Sequence, residues 1–380
     1  MKIAGAWLDA AETQAVLRAF LSQGHQALFV GGCVRNAILG EPVQDVDIAT
    51  DATPDIVIKI AKNAGLRVEP TGFDHGTVTV IFGGIPHEVT TFRRDQQTDG
   101  RHAVVAYSTS VAEDASRRDF TMNALYAQAD GEVIDPLSGM ADLVARRVRF
   151  VGDADLRIAE DHLRILRFFR FHANYGDPDQ GIDPEGLAAC AKNSAAIDTL
   201  SRERVGAEMQ KLLSAFDPSP ALSTMDHAGI LARVSPGASA RAMPVLVHLE
   251  HGNPRRWVCR LAVLGGQNSL DRLRLSRANA SALDQIRAEI GSGLAPDALG
   301  WRYGEKQAGD IVHARAALLE TPLPDQWQTD AKRGAAAIFP IAAADLMPAL
   351  QGPALGTRLK MLQERWLASG LMLTRDQLLD

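Results

Sequence analysis

Strand-like alternation in this chain of 380 residues is confined to roughly the first 150; from Asp153 onward the apolar spacing is almost wholly helical. That division restricts the fold to an α+β head followed by an all-helical remainder, since only the head can supply a sheet. Within the head, Ala10 to Leu21 reads as an amphipathic helix ended by Gly24, and Ala27 to Val30 as a short buried strand. A glycine turn then feeds a helix from Val34 to Leu39. Thr53-Pro54-Asp55 marks a helix start, with a capping threonine, proline in the first turn and then an acid. Thr77 to Phe82 and His87 to Phe92 alternate like paired strands joined by Gly83-Gly84. Asn123 to Ala127 and Glu132 to Ile134 close a small mixed sheet, and the polar stretch Arg93 to Val105 reads as a mobile loop. Beyond it, Ala154 to Phe171, Gly186 to Cys190, Arg202 to Leu213 and Pro218 to Leu231 read as successive helices. Helical segments continue to the end, broken at Pro236, Asn253, Gly291, Pro322 and Gly352.

Composition excludes several classes of protein. Hydrophobic residues at 46% suffice for proper cores, and 23% charged residues is ordinary for a soluble protein. Cys33, Cys190 and Cys259 lie far apart and form no CxxC pair, which suits a reducing compartment and gives no zinc signature. No apolar run approaches the roughly 20 residues of a membrane span. The opening MKIAGAWLDAAETQ is too acidic for a signal peptide, so a cytoplasmic location is expected. A net charge of −6 argues against indiscriminate coating of nucleic acid, yet leaves room for a local basic stripe.

The chemistry concentrates in a few short runs. Gly31-Gly32 and Arg35 precede Asp45 and Asp47. Glycines let a backbone approach a phosphate closely, and an arginine grips phosphate with a planar fork. Two carboxylates spaced by one residue leave the same face of a strand, as a divalent-metal site for phosphoryl transfer requires. Glu88, in HEVTTF, is a candidate third acid. Arg117-Arg118-Asp119 leads straight into an apolar strand, and Asp161, Arg164, Arg167 and Arg170 recur every three residues along one expected helix. Each run also has an ordinary explanation: solvated turn acids, an edge-strand acid, or a ladder of surface ion pairs.

Taken together the runs are ordered as GGxVRxxxLG, DxDIAT, HGTVTV, EVTTFR, DGRHAxV, RRDFTMNAL, DPxxG and EDxLRxLRxxRF. In that order they resemble the class II tRNA nucleotidyltransferases and bacterial poly(A) polymerases, densely through Ser201 to Leu213 and more loosely from Phe339. The resemblance implies a polymerase β-like nucleotidyltransferase head with a mixed sheet over 1–150. It further implies a base-reading helical neck over 151–215, a helical body over 216–325 and a tRNA-binding tail over 326–380. By the same resemblance Asp45 and Asp47 would bind catalytic Mg²⁺ with Glu88 as third acid. Gly31, Gly32, Arg35, Arg118 and Asp119 would hold the nucleotide, Asp161 and Arg164 would face its base, and Arg167 and Arg170 would hold phosphate or neck geometry.

Full CCA-adding members carry a flexible loop, which Arg93, Arg94, Asp95, Asp99 and Arg101 resemble. That favours addition of CCA to the tRNA 3′ end from CTP and ATP. An A-adding or poly(A) enzyme on the same scaffold is the alternative, and a non-catalytic tRNA-binding protein a remoter one. No His-Asp dipeptide occurs, so no appended His-Asp phosphohydrolase is expected. Arg255, Arg256 and Arg260 near Trp257, the run Arg272, Arg274 and Arg277, and Lys332-Arg333 are candidate contacts to tRNA phosphates, or else solvated helix faces.

Overall fold

The computed structural model describes residues 1–95, 105–347 and 349–380. It divides into two compact units, Met1–Leu200 and Ser201–Asp380. The boundary falls inside the span 151–215 expected for the neck.

The first unit is built on a seven-stranded mixed sheet. Its strands are β1 (Ala27–Val30), β2 (Asp47–Thr50), β3 (Arg67–Glu69), β4 (Thr77–Phe82) and β5 (Ile85–Thr91), and, later in the chain, two short strands, Tyr126–Ala127 and Val133–Ile134. From edge to edge the order is β3, β4, β5, β2, β1, then the two short strands. Sequence neighbours β4 and β5 pair through a tight glycine turn, whereas β2 pairs with β5 in parallel. That parallel pair carries the candidate site, because its register sets Asp47 opposite Glu88. Alternation along β5 is strict: His87, Val89 and Thr91 are buried while Glu88 faces out. Helices Ala11–Leu21 and Pro54–Asn63 bury Val16, Leu17, Phe20, Val57 and Ile60.

Three expectations are corrected here. Part of the stretch expected as a loop is regular, since β6 (Arg93–Asp95) pairs antiparallel with β7 (Val105–Tyr107). The β2 strand begins only at Asp47, so Asp45 lies on the segment leading into it. The single helix expected over 154–171 is two, Ala154–Glu160 and Arg164–Tyr175. Asp161 breaks it with extended backbone angles of −150° and 103°. Its Oδ1 accepts from Leu163 N at 3.1 Å, the local side-chain bond that lets aspartate compete with a helix. The second helix then packs Phe168 and Phe171 against Phe120, and Phe168 against Phe150.

The second unit is helical throughout its described residues. Its long helix Pro296–Leu319 is interrupted at Gly304, whose φ of 78° no helix accommodates. Around Trp366, the rings of Trp301 and Phe339 pack at 5.6 and 5.4 Å.

Candidate active site

The site starts from a turn only glycine makes easily. Gly31 has φ 70° and ψ −118°, and it delivers the chain from β1 into the helix Gly32–Leu39. A Cβ on Gly31 would stand 3.4 Å from Arg118 Nη1, so the turn and that guanidinium are in contact. Backbone N–H groups at the start of a helix favour an anion there.

Across the sheet, Asp47 is partly buried beside Glu88. Its pKa is pushed up to about 6 by burial first, then by the Glu88 charge, against a lowering pull from Arg118 and with a smaller push from Asp45. Asp47 therefore sits among like charges that a cation would relieve. The expected three-acid set is not fully assembled. Asp45 is exposed on the lead-in segment, and among the described residues no three His, Cys, Asp or Glu side chains converge on a ready-made metal position. Asp47 and Asp45, with Glu88 beside them, nonetheless fit magnesium, which is commonly held by one or two acids, waters and the substrate's phosphates.

Arg118 is fixed from behind. Its Nη2 and Nε donate to Asp114 Oδ2 at 2.9 and 3.2 Å, and Nε also donates to Tyr126 Oη at 3.0 Å. Tyr126 Oη donates in turn to the same Asp114 oxygen at 2.7 Å. Neither partner was anticipated, although Asp114 stands one helical turn before Arg118 and that spacing was legible. Asp119, next in the chain, is buried and points the other way. It accepts from Phe120 N and Asn123 Nδ2 at 2.9 Å each and from Arg167, through Nε at 2.9 Å and Nη2. Burial alone would raise its pKa, but Arg167 and Asn123 hold it below the usual carboxylate value.

Arg35 is not exposed for a ligand to reach. It is buried, its Nη1 donates to Asn123, and its Nη2 donates to Tyr175 Oη at 2.7 Å and Asn36 Oδ1 at 2.9 Å. The guanidinium also lies 3.9 Å over the Tyr175 ring. In this arrangement it braces the glycine turn against the helix Arg164–Tyr175. On that helix Arg170 lies 4.6 Å over Phe171. Arg164 Nη1 donates to Glu160 Oε2 at 2.6 Å and to Arg157 O at 2.8 Å, and its Nη2 to Arg117 O at 3.2 Å. Asp161 stands in the break just before it.

Of the loop residues, Arg93 Nη1 donates to His75 O at 2.6 Å and Arg94 is exposed on β6. Asp95 ends that strand, and Asp99 and Arg101 lie outside the described residues. A separate cavity of about 730 Å³ in the first unit is lined by Arg149, Asp153, Asp183 and Lys192, among others, and by none of the cleft residues above. Two of its acids, Asp153 and Asp183, cap helices.

Comparison with known proteins decides the family. The profile "Poly A polymerase head domain" matches residues 27–149, and "Probable RNA and SrmB-binding site of polymerase A" matches 181–241. The CCA-adding enzyme of Geobacillus thermodenitrificans is 35% identical over 340 residues, covering 84% of this chain and 81% of its own. The chain belongs to the family of CCA-adding tRNA nucleotidyltransferases and poly(A) polymerases. The human mitochondrial CCA tRNA nucleotidyltransferase 1 is 42% identical over 195 residues, 51% of this chain and 45% of its own length. In fold, the Bacillus stearothermophilus CCA-adding enzyme solved in complex with CTP superposes with a TM-score of 0.74 at 27% identity, covering 94% and 92% of the two chains. A nucleotidyltransferase head with a mixed sheet, followed by helices, is therefore the architecture of this family member.

Burial removes one candidate RNA contact of the second unit. Arg260 is fully buried, donating to Glu250 at 2.7 Å and to the carbonyls of Leu213, Ala215 and Phe216. Half-buried Arg256 pairs with buried Asp310, and exposed Arg333 bonds Asp297 at 2.9 Å and Gly370 O at 2.9 Å. These arginines hold helices together. Arg274, paired with Glu203 at 2.8 Å, is exposed, as are Arg277 and Lys332.

Proposed function

We propose that this chain adds CCA to the 3′ end of tRNA, using CTP and ATP without a nucleic-acid template. The observation that carries the proposal is the β2–β5 register, which sets Asp47 beside Glu88 within the electrostatic reach of Arg118. Acidic residues for a metal and a fixed guanidinium for phosphates are then neighbours.

In this reading Arg118 and the N–H groups at Gly32 hold the triphosphate, and the tRNA 3′-oxygen attacks the α-phosphorus in line. The new P–O bond replaces the bond to pyrophosphate, which departs toward the arginine. Asp47 and Asp45, with Glu88 alongside, would hold Mg²⁺, which when bound neutralises phosphate charge and eases deprotonation of the attacking hydroxyl. Asp119 and Asn123 link Arg35 to Arg167, so the glycine turn and the neck helix keep their spacing as nucleotides enter.

Base choice follows from donor and acceptor matching. The Asp161 carboxylate accepts from the exocyclic amine of cytosine or adenine, and Arg164 donates to the adjoining ring acceptor after releasing part of its hold on Glu160. Uracil and guanine offer an oxygen where the amine would be, a mismatch costing on the order of 1–3 kcal/mol. The finer division into head (1–150), neck (151–215), body (216–325) and tail (326–380) belongs to this reading, with exposed Arg274, Arg277 and Lys332 as tRNA phosphate contacts. So does a cytoplasmic setting. No helix among the described residues is long and apolar enough to cross a membrane.

The deciding variant is Asp47→Ala. Incorporation of CTP into a tRNA lacking its CCA end should fall at least about a hundredfold, while the affinity for tRNA stays within about twofold. Incorporation that survives the substitution would refute the site.

A further inference from the structure

Arg118 does not hold its position by itself. Three donors converge on one oxygen of Asp114: Arg118 Nη2 at 2.9 Å, Arg118 Nε at 3.2 Å and Tyr126 Oη at 2.7 Å. The other oxygen accepts from the backbone N of Arg93, the first residue of β6, at 3.1 Å. Asp114 is 2% exposed and belongs to a helix whose N-terminus Ser110 caps. Tyr126 lies on the strand between β1 and the edge strand Val133–Ile134, fully buried, with the Arg118 guanidinium 5.2 Å over its ring.

A guanidinium has five N–H donors in a rigid plane. Asp114 and Tyr126 take the Nε–Nη2 edge, and this orients the Nη1 end onto the Gly31 turn. An arginine swinging freely would lose rotamer entropy each time a triphosphate arrived; one already held loses little. Arg93 and Arg117 flank the same carboxylate, so Asp114 meets three guanidinium groups.

We infer that Asp114, with Tyr126, is a positioning residue that holds Arg118 against the glycine turn and thereby sets the affinity for the nucleotide's triphosphate without touching the nucleotide. The inference rests on the reading of Asp47, Glu88 and Arg118 as the nucleotide site. It differs in what it predicts, because Asp114 should act only through Arg118.

The test measures KM and kcat for CTP and for ATP on tRNA ending before CCA, with tRNA affinity measured separately. Asp114→Asn should raise KM for both nucleotides about tenfold or more, by the same factor, with tRNA affinity unchanged. Tyr126→Phe removes one hydroxyl from the same cluster and should raise KM about two- to fivefold, keeping the inference testable if the asparagine variant misfolds. Arg118→Lys, which lacks the fork, supplies the decisive control. Adding Asp114→Asn to it should raise KM no further, because the partner being positioned is gone. Independent, multiplying effects of the two substitutions would overturn the inference, as would Tyr126→Phe with wild-type KM. A wild-type protein that incorporates nothing would instead overturn the proposed function itself.

Discussion

Two arginine clusters look alike in the sequence and differ in the folded chain. In the second unit Arg260 is closed off: every donor group reaches Glu250 or a main-chain carbonyl, and no part of the side chain meets solvent. In the first unit Arg118 is closed on one edge, by Asp114 and Tyr126, while its Nη1 end meets a glycine turn. The first arrangement is a strut, in which a buried charge is tolerable only because every donor is satisfied. In the proposed reading the second is a grip, whose Nη1 end is useful because the rest of the group is immobilised. What distinguishes the two is the share of the guanidinium that the protein itself uses up.

The comparison can be broken most forcefully at the strut. Arg260→Met leaves Glu250 buried without its partner, and the cost should be about 3–5 kcal/mol of stability, read by urea unfolding. Nucleotide KM in the folded protein should not change. A variant that unfolds like wild type yet binds tRNA poorly would make Arg260 a contact after all. A smaller effect sharpens the other side. Asp161→Ala should narrow the preference for CTP over UTP by about 1–3 kcal/mol in kcat/KM, and an unchanged preference would remove Asp161 from base reading.

The smallest effect is a change of slope. Asp119 has a depressed folded pKa, so its stabilising contribution is complete above its unfolded value near 4 and is lost as pH falls through the lower folded value. Asp119→Asn should therefore be less stable than wild type at neutral pH, with the two stability curves converging below about pH 4. Parallel curves down to pH 2 would show that Arg167 does not depend on the Asp119 charge.

Much of the head was legible because its elements are local. The strands Ala27–Val30 and Thr77–Phe82 follow from apolar runs and alternation, bounded by glycines, and the helix Ala11–Leu21 from its periodicity. What stayed hidden is nonlocal or competitive. No pattern in β2 or β5 announces that they pair in parallel with Asp47 beside Glu88, since pairing depends on the whole sheet order. Arg35 reads as a phosphate grip until Tyr175, 140 residues away, is found under its guanidinium. The break at Asp161 is invisible to periodicity because the arginine stripe continues on both sides of it. There the aspartate's own side-chain bond decides the backbone. Burial of Arg260 was equally out of reach, because a run of arginines beside Trp257 carries the same local signal whether it faces water or a helix.

The most direct test of the account is the product made on a tRNA transcript lacking its 3′ CCA, with Mg²⁺ and CTP, ATP, both or UTP, resolved by mass to single nucleotides. The account predicts two additions with CTP alone, a third only when ATP is also present, and none with UTP. A long ladder of A, or a single A added only to a tRNA already ending in CC, would contradict it.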